Sequence, residues 1–260
     1  MTTEQANTEA FRLNLAGHVV LVTGAATGIG RATALACGRA GAAVAVNHLG
    51  RAAEAEAVVA QLTAIGASAR AFEADVTQSA ATTAMVRAVE DAFGPIDGLV
   101  NNAGILQEKP FLDTTEADWD RMLDTDLKSV FLMCKAVLPG MVARESGVIV
   151  NIASDLGVLG RAQFAPYCAA KAGVIGLTRS LAREFAPNIR VNAIAPGAVA
   201  TAMVSTEHMS PEWIAKELDI PQHRFGEPDE IAATVLFLLS DLSRFYCGQL
   251  LSPNGGSLMA

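Results

Sequence analysis

An apolar run, HVVLV, ends at Val22 and leads directly into TGAATGIG, Thr23 to Gly30, after which the chain takes up a helical period. A strand that must turn at once into a helix needs small residues. Gly24, Gly28 and Gly30 permit a tight turn, close backbone approach of an anion and helix packing, and the first turn of the helix then faces that anion with its free N–H groups. Such a turn also serves plain strand-to-helix connections, so its meaning depends on the rest of the chain. Downstream of Gly30 the same alternation repeats. Apolar runs end at Val46, Phe72, Val100, Ile152 and Ile194, a last short one lies at 249–251, and helical stretches begin near Ile29, Ala52, Ser79, Glu116, Ala165 and Pro228. Near-continuous apolar strands joined by helices specify a parallel sheet covered on both faces, a doubly wound α/β fold of about seven strands.

The 260 residues are 51% hydrophobic, enough for one large core. Residues 15–260 are expected to form a single domain behind a loose polar leader, residues 1–14. The leader has acids where a secretory signal has positive charge, and no run reaches the eighteen apolar residues of a membrane span, so a soluble, cytoplasmic protein is expected. Net charge is −8, with 19 basic residues scattered among 27 acidic ones. That balance argues against nucleic acid and acidic membranes and for small-molecule partners. Cys37, Cys134, Cys168 and Cys247 are too widely spaced for a zinc site or disulfide framework, and His18, His48, His208 and His223 show no ligand spacing, so no metal is expected. Cys168 lacks a histidine companion and reads as structural.

Ser154 falls at the end of the fifth strand, and thirteen residues later comes YCAAK, Tyr167 to Lys171. A four-residue spacing stacks two side chains on one helix face, placing an ammonium beside a phenol. A free phenol titrates near ~10, and a fixed positive charge favours its anion, moving it towards a usable acid or base. With only two tyrosines and five lysines in the chain, about 0.04 such pairs arise by accident. In a doubly wound sheet ligands bind at the carboxyl ends of the strands where strand order reverses. TGAATGIG, Asn101-Asn102-Ala103-Gly104, Ser154 and Pro196-Gly197 all fall at such ends, so one cleft can hold them.

This ordered set resembles the short-chain dehydrogenase/reductase family, with its Rossmann fold, over Leu15 to Met259. The matching pieces are TGAATGIG, ADV at Ala74–Val76, NNAG, Ser154, YCAAK, PGAVAT at Pro196–Thr201, RFGEPDEIA and GQLLSPNGG. The resemblance implies hydride exchange between a nicotinamide cofactor and a carbonyl or secondary alcohol. It implies that Tyr167 is the acid/base, that Ser154 orients the reacting oxygen, and that Lys171 assists the tyrosine and holds the nicotinamide ribose. Gly24, Thr27, Gly28, Ile29 and Gly30 would surround the phosphates, Asp75 and Val76 the adenine, and Asn102, Ala103 and Gly104 the neighbouring ribose. Pro196, Gly197, Val199 and Thr201 would lie at the carboxamide.

The chain departs from the family at Asp126, where an asparagine usually supplies a main-chain carbonyl to the proton relay. Aspartate keeps that carbonyl and adds a carboxylate able to pair with Lys171 and alter the pH dependence. At the end of the second strand His48 stands where an acid would select NAD(H), with Arg51 close behind, so NADP(H) is favoured over NAD(H). The substrate pocket is expected to use Leu106, Leu156, Gln163, Phe164 and Met203, under an apolar lid drawn from 201–221. The pattern is nearest to 3-oxoacyl-(acyl-carrier-protein) reductases, pointing to a ketone, 3-oxoacyl or β-keto ester substrate. An acidic carrier, however, would find only Arg144 and Arg190 on an acidic protein. A glucose- or polyol-type dehydrogenase is the alternative within the family, and a catalytically impaired cofactor-binding sensor or scaffold, following from Asp126, is the alternative outside it. A homotetramer, or a dimer, is expected, with Ala136, Val137, Ala172, Ile175 and Leu181 as its contact face.

Overall fold

Four residues, Val19–Val22, form β1, and every one is buried, because both faces of this strand are covered by helices. The computed structural model describes residues 13–204 and 211–259; most of the expected leader, His208 and Met209 lie outside them. After β1 come α1 (Gly28–Arg39), β2 (Ala43–His48), α2 (Ala52–Ala64), β3 (Ala69–Glu73), α3 (Ser79–Phe93) and β4 (Gly98–Asn101). Next are α4 (Glu116–Leu123), a π-helical turn (Asp124–Lys128), α5 (Ser129–Ala143), β5 (Gly147–Ile152), the single turn α6 (Leu156–Leu159) and α7 (Ala165–Phe185). β6 (Ile189–Ile194), α8 (Pro211–Glu217), α9 (Pro228–Leu239) and β7 (Leu250–Leu251) complete the order. The seven strands make one parallel sheet in the order β3-β2-β1-β4-β5-β6-β7, as the alternation of apolar runs and helical periods requires.

The strand order reverses between β1 and β4, whose partners are Val20–Gly98, Leu21–Leu99 and Val22–Val100. On one face of the sheet Leu21, Leu99 and Ile149 pack with Val137, Met141 and Ile175; on the other Val20, Val22, Val100 and Ile194 pack with Leu35, Val58 and Val235. Each such aliphatic side chain contributes about 1.5–3 kcal/mol on burial. Some polar groups trapped in the core bond one another across elements. Asn101 donates to Asn151 at 2.8 Å and Asn151 to Thr178 at 2.9 Å, linking β4, β5 and α7.

Three local differences from the sequence reading have physical causes. The single helix expected from Glu116 is interrupted by the π turn, which a polar, charged stretch, DTDLK, does not announce. α6 and α8 are too short to impose a period on the sequence. Of the expected contact face, Val137 and Ile175 point into the core, leaving Ala136, Ala172 and Leu181 nearer the surface. The motif RFGEPDEIA has a structural role: Arg224 holds Glu230 with two bonds of 2.6 and 2.7 Å, and Glu227 with Glu230 forms the capping box that starts α9. Among the described residues no helix is long and apolar enough to cross a membrane.

The turn after β1 depends on close approach. Asn102 donates to the carbonyls of Thr23 and Gly24 at 2.9 and 3.2 Å, and a Cβ on Gly30 would stand 2.3 Å from the Gly24 oxygen and 2.5 Å from the Asn102 amide nitrogen. Gly30→Ala is therefore expected to cost about 1–3 kcal/mol, lowering the melting temperature by about 2–4 °C per kcal/mol. A calorimetric scan showing an unchanged midpoint would mean that the turn and β4 are not locked together.

Candidate active site

A cleft of about 980 Å³ opens at the carboxyl ends of the strands, over the β1/β4 reversal. At one end it is lined by Gly24, Thr27, Gly28 and Ile29. Gly24 and Gly28 have φ of +60° and +54°, a conformation that a side chain would strain. The first turn of α1 holds no acidic residue, and Thr27 makes no side-chain cap, so the N–H groups there are left for an anion. Those features fit the phosphates of a dinucleotide. Gly30 is not in the lining; it serves the packing of the turn against Asn102.

Two side chains missing from the sequence reading shape this end. The Thr23 hydroxyl accepts from the N–H groups of Asn102 and Ala103 at 2.9 and 3.0 Å. The Asn47 side chain accepts from Gly24 N–H and donates to the carbonyls of Phe72 and Ala74. Both lie inside stretches already singled out, but hydrogen bonds between distant strands leave no periodic trace. His48 and Arg51 line the cleft beyond β2, together with Asp75, Val76, Asn102, Ala103 and Gly104. His48 is buried with Nδ1 unpartnered, Arg51 is exposed and paired with Glu54 at 3.2 Å, and the Asp75 carboxylate is occupied by Thr77. β2 itself ends in His48 rather than an acid; Glu73 at the end of β3, the register partner of His48, accepts from Gly50 N–H at 3.1 Å.

The other end gathers Ser154, Tyr167, Lys171 and Asp126, with Pro196, Gly197, Val199 and Thr201 beside them. β5 delivers Ser154, one face of α7 delivers Tyr167 and Lys171, and the π turn delivers Asp126. Lys171 Nζ is buried, 5.5 Å from the centre of the Tyr167 ring, 3.1 Å from the Ile152 carbonyl and 3.1 Å from Asp126 Oδ2. Asp126 Oδ1 accepts from Ile105 N–H at 2.8 Å, while Oδ2 meets Lys171 by charge and proximity without a hydrogen-bonding angle. Gly104 leaves room for the pair: a Cβ there would lie 2.8 Å from Oδ2.

Burial pushes the Tyr167 phenol above its ordinary value; Lys171 and a hydrogen bond from Ser154 pull it down, and the charges of Asp126 and Asp155 push it up further. The lysine thus acts in the expected direction but does not prevail. Burial likewise raises the Asp126 carboxyl against the pull of Lys171 and Ile105 N–H. For Lys171 burial works against the charge, yet Asp126 and Tyr167 together hold it above the usual lysine value. Asp155 is raised by burial and bonded by Ser257, Leu156 N–H and Ser154.

Of the expected substrate wall, Leu106 and Met203 line the cleft, joined by Ile105, Val204 and, from α4 and the π turn, Arg121, Asp124 and Thr125. Leu156, Gln163 and Phe164 stand outside it. Gln163 is exposed, its carbonyl taken by Lys109 N–H, and Phe164 is buried at the start of α7. Arg121, Asp124 and Thr125 share one helix face by their spacing, a signal available in the sequence. Outside the cleft lining, Arg161 ties α8 down through an ion pair with Glu217 and by resting 4.9 Å from the Trp213 ring and 5.5 Å from that of Phe164. The thiols take no visible part: burial pushes Cys37 and Cys134 up to about 12 and raises Cys168.

A family described as enoyl-(acyl carrier protein) reductase matches residues 24–257. A 3-oxoacyl-(acyl-carrier-protein) reductase of Staphylococcus aureus is 44% identical over 241 residues, 92% of this chain and 97% of the relative. That of Vibrio cholerae is 39% identical over 249 residues, 95% of this chain and all of the relative. Among solved structures, levodione reductase superposes with a TM-score of 0.87 at 38% identity, covering 92% of this chain and 97% of that one. With the reversed parallel sheet, the glycine turn and the convergence of Ser154, Tyr167 and Lys171 at the strand ends, these likenesses make the chain a member of the short-chain dehydrogenase/reductase family of oxidoreductases.

Proposed function

We propose that the protein is an NADP(H)-preferring oxidoreductase that interconverts a ketone, in particular a 3-oxoacyl or β-keto ester group, with the secondary alcohol, Tyr167 acting as acid and base. The observation carrying this reading is the meeting of Tyr167, Ser154 and Lys171 at one end of a cleft whose other end is built for phosphates. Val199, Thr201 and Lys171 would hold a nicotinamide, whose chemistry would be to supply or take up the hydride. As a carbonyl carbon is reduced, negative charge develops on its oxygen, and Ser154 and Tyr167 are donors placed to stabilise it, Tyr167 giving up its proton. In the alcohol-oxidising direction the Tyr167 phenolate takes the proton back.

Cofactor preference rests on His48 standing where β2 would carry an acid and on Arg51 beside it in the cleft lining, from which Glu73, bonded to Gly50 N–H, is absent. Apolar Ile105, Leu106, Met203 and Val204 favour an acyl chain over a sugar. Arg144 and Arg190 are poor docking points for an acidic carrier, because both are spent on internal carbonyls: Arg144 on Gly140 and Ile96, Arg190 on Leu238, Ser240 and Ser243. A small β-keto ester or thioester is therefore favoured. Assembly as a homotetramer or dimer is part of this reading, and exposed Phe111, Leu112, Trp119 and Phe131, on or just before α4 and α5, are available to a contact between copies.

Tyr167→Phe is expected to lower kcat on β-keto esters about 10²–10⁴-fold, with NADPH affinity, followed by cofactor fluorescence, nearly unchanged; near-normal turnover would remove Tyr167 from the chemistry. The wild-type protein is expected to show a higher kcat/KM with NADPH than with NADH, and Arg51→Ala to reduce the NADPH value roughly tenfold, equivalent to one charged hydrogen bond. A clear NADH preference, or no change in the variant, would defeat the assignment of the rim.

A further inference from the structure

We propose that Asp126 is a positioning residue that occupies the anion's place beside Lys171, so that Tyr167 is kept as a neutral proton donor and becomes a base only in alkaline solution. The buried space around Lys171 tolerates little net charge. One ammonium, Lys171, can balance one anion there at modest cost; a second anion has no counter-charge and meets the desolvation penalty of burial. Asp126 already fills that place, buried, 3.1 Å from Nζ and anchored from the other side by Ile105 N–H. Ionising Tyr167 in addition would leave the trio with net negative charge. With a neutral residue at 126, the balancing anion beside Lys171 would be the Tyr167 phenolate.

Among the described residues Lys171 is the one cation whose charge acts on the Tyr167 phenol. From the end of β5, Asp155 faces Tyr167 and adds negative charge, itself held by the hydroxyls of Ser154 and Ser257. Among the other charged groups near this end, Arg161 is committed to Glu217, Asp124 to Lys128 at 3.0 Å, and Arg121 lines the same cleft from α4. The raised value of the Tyr167 phenol agrees in direction with this balance. The functional consequence rests on the reading of Tyr167 as acid and base: carbonyl reduction keeps its proton donor over a wide pH range, whereas alcohol oxidation, which needs the phenolate, rises late.

The chain's two tyrosines make a direct test possible without cofactor or substrate. In a Tyr246→Phe background, where the edge-on contact of residue 246 with Phe237 is kept, tyrosinate absorbance reports Tyr167 alone. Its midpoint is expected above the ~10 of a free phenol. Adding Asp126→Asn, which retains an acceptor for Ile105 N–H, is expected to lower the midpoint by at least about one pH unit, and the acidic limb of alcohol oxidation should move down with it. A midpoint below a free phenol's in the Tyr246→Phe protein itself would overturn the proposal without the second substitution. An unchanged or higher midpoint after Asp126→Asn would overturn it too, the higher value meaning that Asp126 serves only to keep Lys171 charged. The absorbance shift without turnover in either protein would sink the oxidoreductase reading and leave this one standing.

Discussion

The hydroxyl of Thr23 accepting two N–H groups from the turn after β4 is the contact on which the rest of the site depends. It spans the line where the sheet changes winding direction, and it sets the spacing between a turn shaped for phosphates and a strand end that leads towards Tyr167. Asn102 reinforces it by donating to two carbonyls of the glycine turn, and Asn47 braces the same turn from β2. All of these groups are buried or partly so, where an unmatched donor or acceptor costs about 1–3 kcal/mol. The cradle is therefore held in shape by its own hydrogen bonds before anything binds.

Much of this was legible in the residues. Continuous apolar runs separated by helical periods require a parallel sheet, and the glycine turn, NNAG, Ser154 and PG, each at a strand end, must then share one crevice. The four-residue spacing of Tyr167 and Lys171 put them on one face of α7 as expected. The π turn was not legible, because a single widened turn alters which way Asp126 faces without altering composition or period. The walls of the pocket were legible only in part, at Leu106 and Met203. Leu156 and Phe164 have suitable chemistry but fall on a short turn and a helix start whose direction depends on packing, and α8 is tied down by Arg161, a contact between segments more than fifty residues apart.

The balance of charge around Lys171 separates two effects that the spacing of tyrosine and lysine runs together. Proximity to an ammonium favours a phenolate; removal from water disfavours it. Burial wins here, and the carboxylate of Asp126 takes up part of the ammonium's field. The Tyr167 proton is consequently governed by four side chains, Lys171, Asp126, Ser154 and Asp155, from three elements, α7, the π turn and the end of β5, rather than by a local motif.

The last strand has a part in this that its two residues do not suggest. Beyond β7 the chain doubles back so that Ser257 bonds Asp155, the neighbour of Ser154, while Gly255 and Gly256 sit against Ile220 and Pro221 just past α8. The C-terminal turn is thereby a strut between the segment after α8 and the strand end that carries Ser154. Substitutions in this turn therefore reach the cleft end that gathers Ser154, Tyr167 and Lys171, from positions remote in sequence from all three.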